Sequence, residues 1–264
     1  MSRESWDSMI IQKFGGIAMR NQQQRAKCIQ HIQRALLKYE AVVVVVSAMG
    51  RGPDAYSTDQ LLNVTDAFAN SGEARDLAAA CGELISAAVL SAELSKTGVD
   101  NTIVYGQNTG IRTTGDFCNA TIEKVNTSHL LETLQNHSCL IVPGFQGMNK
   151  QGQFMTLGRG GSDLTAIALA AALQASHVEF YKDVPAVMSA DPHKTTHYKA
   201  FDRLTFDKFL PLLDCSRPII QKKAAKYAKK MQYLFTFEAL HLRKKGRGSF
   251  LSLLPLFQSS YCEQ

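Results

Sequence analysis

The sequence predicts an α/β protein, a three-layer αβα sandwich around a mainly parallel central sheet. Three observations predict it. The run "AVVVVVSAMG" contains five consecutive valines, and such a stretch without polar alternation is typical of a strand covered on both faces in a parallel sheet. Strand-like and helix-like segments alternate along the chain. Glycine-bearing loops follow the predicted strands at "KFGG", "VVSAMGRG", "PGFQG" and "TLGRGGSD", where open α/β sheets gather their ligands.

Each element has its own signal. "MIIQKFGG" is a short apolar run ending in glycines and reads as the first strand. "NQQQRAKCIQHIQRALLKYE" sets Cys28, Ile29, Ile32, Ala35 and Leu36 at helical spacing, and the valine run is the next strand. "STDQLLNVTDAFANSG" and "ARDLAAACGELISAAVLSAELSKTG" read as helices, the second with small residues on nearly every turn, as in a closely packed core helix. "NTIVYG" and "CLIVPGFQG" are further strands. A helix is expected over 163–175, with Ser162 and Asp163 suited to cap it. The strand "HVEFYKDV" and a Pro-punctuated loop "PAVMSADPHK" follow. Without a repeat or low-complexity linker, one domain is the economical count.

With 264 residues and 45% hydrophobic content, the chain can bury a large core. Its first residues contain no apolar signal region, and no run reaches the ~18 uninterrupted apolar residues of a membrane span. A soluble, cytoplasmic protein without membrane attachment is expected. The six cysteines are scattered without a CxxC pair, so neither disulfides nor a cysteine metal site is expected. The net charge of +6 lies late, around Lys222, Lys223, Lys226, Lys229 and Lys230. It reads as a solvated helix face rather than a nucleic-acid surface, because no aromatic-interleaved basic module accompanies it.

The chemistry concentrates in the glycine loops. Lys13 beside two glycines suits an ammonium reaching phosphate oxygens while backbone N–H groups contribute alongside it. Three glycines around Arg159 remove the Cβ atoms that would hold the backbone away from a ligand, and the guanidinium offers a planar fork for a carboxylate or phosphate. Neither a GxxxxGK[ST] loop nor a GxGxxG motif with an acidic ribose partner is present.

Taken in order, "QKFGG", "VVVVVSAMG", "STDQLL", "CGELIS", "GFQG", "LGRGGSDLTAIALAAAL" and "YKDVPAVMSADP" resemble the amino acid kinase superfamily, and bacterial aspartate kinases in particular, from about Ile10 to Gln232. The resemblance implies ATP-dependent phosphorylation of the side-chain carboxylate of L-aspartate with Mg²⁺. The product would be 4-phospho-L-aspartate, at the head of lysine, threonine and methionine synthesis. It assigns Lys13, Gly15 and Gly16 to phosphate, and Lys182, Asp183, Val187, Met188 and Asp191 to the ATP segment. Ser47, Thr58, Glu83, Phe145, Arg159, Ser162 and Asp163 fall to aspartate. Lys13, Arg159 and Asp163 are its catalytic set, Arg159 clamping a carboxylate and Glu83 receiving the ammonium. Family catalytic domains commonly pair, so a homodimer is expected.

The chain departs from that family in several places. Ile17, Ala18 and Met19 stand where Thr-Ser-Val is usual, Ala186 replaces a glycine, and His193 replaces an arginine. Ser216, Arg217 and Pro218 lie opposite a Gly-Ala-Lys segment, and a proline donates no hydrogen bond. Residues 1–232 are therefore read as the catalytic domain and 233–264 as an atypical tail. One lost adenine at Gln232 would convert a family-like strand into this tail, which is read as frameshifted, with natural divergence as the alternative. On the frameshift reading the strand completing the nucleotide half is lost or replaced, and "SFLSLLPLF" is left exposed. No regulatory ACT module is expected to follow. A second functional reading follows from these changes: a catalytically weak relative that binds a ligand or partner subunit.

Overall fold

The computed structural model describes residues 9–65, 71–182, 187–188, 200–201, 203–215, 218–240 and 251–254. In chain order the elements are β1 (Met9–Phe14), α1 (Gly16–Met19), α2 (Gln22–Leu36), β2 (Ala41–Val46), α3 (Thr58–Val64) and α4 (Gly72–Ser95). There follow β3 (Thr102–Ile103), β4 (Ile111–Thr114), β5 (Thr121–Val125), α5 (Ser128–Leu134), β6 (Cys139–Pro143), β7 (Gln146–Met148), β8 (Phe154–Thr156) and α6 (Gly161–Leu173). The chain continues through β9 (Val178–Lys182), β10 (Val187–Met188), β11 (Ala200–Phe201), β12 (Arg203–Thr205), α7 (Phe206–Phe209), α8 (Lys222–Met231), β13 (Phe235–Ala239) and β14 (Leu251–Leu254).

The main sheet runs β12-β14-β13-β9-β1-β2-β6-β3, and the six strands from β13 to β3 are all parallel. Its centre is mostly apolar on both faces, with Gln12 and Lys13 of β1 as buried polar exceptions. Every residue of β1 and β2 is buried. Val42, Val44 and Val46 meet the layer of α2 and α4, where Ile29, Ile32, Leu90 and Leu94 lie. Val43 and Val45 face the other layer, with Leu164, Ile167 and Leu173 of α6 and Ala224 and Ala228 of α8. Period-2 alternation along one strand thus serves two cores.

Several elements differ from expectation. The strand in "NTIVYG" is reduced to Thr102–Ile103 at the sheet edge, and α3 covers only Thr58–Val64. A separate four-stranded sheet, β5-β4-β7-β8, is mostly antiparallel. Its strands are short, and β5 has no fully buried residue, so they lack the apolar run that marks β2. The buried Asp76 carboxylate of α4 ties this sheet down by accepting from the Cys118 and Thr156 amides and the Thr156 hydroxyl, at 2.5–3.0 Å.

The tail supplies the strand beside β9. β13 lies parallel against β9, with Phe235 and Phe237 buried. Leu251–Leu254 pairs with β13 on one side and β12 on the other; the burial of its side chains, on which the expected exposure of "SFLSLLPLF" turns, lies outside the described residues. α4 is long and apolar enough to cross a bilayer by length and composition. Here it packs on β6, β8 and α3 as a core helix, with Asp76 and Glu83 buried along it. Most lysines of α8 face outward, but Lys223 reaches back to donate to the Leu157 carbonyl at 3.0 Å. Lys222 pairs with Asp214 at 2.6 Å and Lys229 with Asp207, while Ala224, Ala225 and Ala228 are buried.

Candidate active site

β1 has β2 on one side and β9 on the other. The chain leaves β1 towards β2 and later returns to β9, so the loops at these carboxyl ends diverge and leave a crevice. A cleft of about 230 Å³ opens there. Its floor is Lys13, Gly15, Gly16 and Ser47, with Gly160 and Asp163 from the start of α6 and Lys182 from the end of β9. Gly16 is obligatory for its shape: a Cβ there would stand 2.3 Å from the Gly50 carbonyl oxygen, closer than any side chain tolerates.

Charge organises the floor. The Lys13 ammonium is 2.6 Å from one Asp163 oxygen, and the Lys182 ammonium is 3.6 Å from the other. Burial would push the Asp163 carboxyl up, but the two lysines outweigh it and hold it below its ordinary 3.8. The α6 N-terminus favours a negative charge in the same place. Burial drives the Lys182 ammonium down to about 8; Asp163 opposes this, while Lys13 and Arg51 add to it.

Of the residues that the resemblance assigns to the amino-acid substrate, Ser47 and Asp163 line the cleft, and the others stand outside its lining. Glu83 of α4 is buried and accepts from the Ala48 amide at 3.0 Å, directly after Ser47. Burial pushes its carboxyl up to about 8, against the Ala48 hydrogen bond. Its Oε2 atom has no hydrogen-bond partner among the described residues. Thr58 opens α3, whose Leu61 packs at Gly82 beside Glu83. Phe145, at φ 73°, lies against Gly161, and its amide donates to the Thr165 hydroxyl at 3.1 Å. Ser162 is buried in the first turn of α6. Arg159 sits exposed on the turn before Gly160, outside the cleft lining.

One local expectation is corrected. Ser162 and Asp163 do not cap α6: Gly160, left-handed at φ 76°, is the N-cap, and both residues stand inside the first turn. The glycine takes a conformation that a side chain resists, which frees the Asp163 carboxylate to meet the lysines. Sequence reasoning missed Arg51, Tyr181 and Leu240, which also line the cleft. Arg51 directly follows the "SAMG" loop, a signal that could have found it. Leu240, from the atypical tail, gave none. Ile17, Ala18 and Pro218, noted above as departures, line it too. Asp183, Ala186, Asp191, His193, Ser216 and Arg217 lie outside the described residues, as do the side chains of Val187 and Met188.

Residues 8–230 match the model of the amino acid kinase family. Aspartokinase 1 of Bacillus subtilis is 35% identical over 240 residues, covering 90% of this chain and 59% of that protein. Aspartokinase 2 of the same organism is 36% identical over 226 residues, with 85% and 54% covered. The chain thus spans little more than half the length of these curated relatives. Among solved structures, aspartate kinase from Synechocystis superposes with a TM-score of 0.78 at 25% identity, covering 95% of this chain and 40% of that one.

Proposed function

We propose, from the premise that the chain belongs to the amino acid kinase family, that it transfers the γ-phosphoryl group of ATP to the side-chain carboxylate of L-aspartate. The observation that carries this reading is the Lys13–Asp163–Lys182 cluster in a glycine-floored cleft at the strand switch point. Relatives named aspartokinase, at 35–36% identity across most of this chain, support the acceptor. The product would be 4-phospho-L-aspartate, feeding lysine, threonine and methionine synthesis in the cytoplasm, and the catalytic unit would be residues 1–232, acting as a homodimer. The division at Gln232 belongs to the same proposal: the coding DNA there should hold a family-like strand in another frame, and its absence would leave a naturally divergent tail.

Phosphoryl transfer asks the protein mainly for position and charge neutralisation. Gly15 and Gly16 let the β1–α1 turn approach the phosphates, and Lys13 offsets charge on the transferred group. The segment from Lys182 through Asp183, Val187, Met188 and Asp191 would hold the nucleotide. Glu83, with an unpartnered oxygen, would receive the aspartate ammonium. Arg159 would fold inward onto a carboxylate, with Ser47, Thr58, Phe145, Ser162 and Asp163 around it. The described residues contain no cluster of three ligand-type side chains for a metal, and Asp163 is engaged by both lysines. Mg²⁺ would therefore arrive on the nucleotide phosphates, the usual manner for this ion, and would supply charge neutralisation there.

A second reading has its own observation. The walls formed by Ile17, Ala18 and Pro218 offer no side-chain donor, which favours a catalytically weak protein that binds a ligand or partner subunit. An ADP-release assay with L-aspartate, run beside Lys13→Ala, separates the two. Aspartate-dependent turnover lost in the variant supports the kinase. Nucleotide binding without turnover supports the second reading.

A further inference from the structure

The ion cluster carries more charge than it cancels. Lys13 and Lys182 share the single carboxylate of Asp163, and their side chains are only 6% and 16% exposed. Arg51 lines the same cleft and bears on the Lys182 charge. Glu83, whose carboxyl also feels Lys13, is pushed towards its uncharged form by burial. A surplus positive charge removed from water is costly until an anion joins it, so the cluster is built for a polyanion. Lys182 is held in place to meet one. Its ammonium stands 5.7 Å over the Phe180 ring, and its carbonyl oxygen accepts from the Leu240 amide at 2.9 Å. Ser47 and Gln221 add only neutral donors to the lining, and Ile17, Ala18 and Pro218 add no side-chain donor.

We infer that Lys182 is a catalytic cation of the phosphoryl transfer, gripping the γ-phosphoryl group opposite Lys13, with Asp163 as the positioning residue that holds both ammoniums. The inference deepens the kinase reading and rests on it. In the step, an oxygen of the acceptor carboxylate bonds to the γ-phosphorus while the bond to the β–γ bridging oxygen breaks, and that electron pair leaves with ADP. Lys182 keeps its proton throughout and offsets the charge gathering on the transferred oxygens. The groups facing it are Asp163 from α6, Lys13 from β1 and Arg51 from the loop after β2. With its ammonium lowered to about 8, an arriving polyphosphate draws a proton onto it near that pH.

The test uses the full chain, Lys182→Met and Lys182→Arg, with ATP and ADP titrated calorimetrically at pH 8 in two buffers and turnover measured in parallel. The expected result is a loss of roughly 10²–10³-fold in kcat for Lys182→Met, with ATP affinity falling more than ADP affinity. Proton uptake accompanies ATP binding in the unsubstituted protein and vanishes in Lys182→Arg, which binds ATP nonetheless. A Lys182→Met protein with kcat within about threefold of the original overturns the inference, as does an equal loss of ATP and ADP affinity. If the unsubstituted chain binds ATP but never phosphorylates aspartate, the kinase reading fails instead, and the ATP-over-ADP comparison still decides whether Lys182 meets the terminal phosphate. Removing a buried charge leaves Lys182→Met no harder to fold, and circular dichroism checks this.

Discussion

The Asp163 carboxylate lies 2.6 Å from the Lys13 ammonium, joining the first turn of α6 to the penultimate residue of β1. The pair is nearly free of solvent, and a buried pair is worth most when measured by what its loss exposes.

Asp163→Asn leaves two buried ammoniums facing each other without a counter-charge. Denaturant unfolding at pH 7 should show a loss of about 3–5 kcal/mol. The native carboxyl lies below its ordinary 3.8, so its contribution is complete above that value and fades as pH falls through the lower native one. Acid titration of stability should therefore be shallower in the variant below about pH 4. Equal acid limbs would refute the assignment.

Glu83 behaves in the opposite sense. Its native value of about 8 exceeds the ordinary 4.5, so the unfolded chain binds fewer protons than the folded one between these limits. Stability from this group is full below pH 4.5 and is lost as pH rises towards 8, by on the order of a few kcal/mol. Glu83→Gln should remove that slope. Glu238, also raised to about 8 by burial and by Glu179, contributes its own slope to both proteins, so the quantity to compare is their difference. A difference that stays constant from pH 5 to pH 8 contradicts the prediction.

Phe235 locks the atypical tail into the fold. Its ring is fully buried and meets Phe180 edge-on, with centroids 5.2 Å apart, and it also contacts Phe206, Phe209 and Phe237. Phe235→Ala should cost about 3–5 kcal/mol. A chain stopped after Gln232 uncovers the β9 edge and should aggregate. A soluble truncated chain melting at the original temperature would show that the tail contributes nothing.

The sequence revealed those parts whose physics is local. The valine run of β2 could be read directly, because burial on both faces leaves one apolar signature. Lys13 and the glycines beside it were readable for the same reason, since close backbone approach requires a missing Cβ. β4 and β5 were not legible: with one face in water their residues alternate weakly, and only pairing through β7 fixes them. The reach of Lys182 to Asp163 was also invisible, because it depends on β9 docking beside β1. The capping role expected of Ser162 and Asp163 failed where Gly160 took the left-handed position. That one backbone angle redirects the carboxylate from its own helix to two lysines.

Asp76 and Glu83 stand two turns apart on α4, about 10 Å along its axis, and each is pinned at its far end. Asp76 holds Thr156, two residues before the Gly158 turn, and Glu83 holds Ala48, one residue after Ser47. The helix therefore works as a caliper whose two jaws are set by a rigid rod. Neither the loop after β2 nor the strand leading to the Gly158 turn can slide along α4 without breaking one of these buried hydrogen bonds, so the spacing between them is a property of the scaffold.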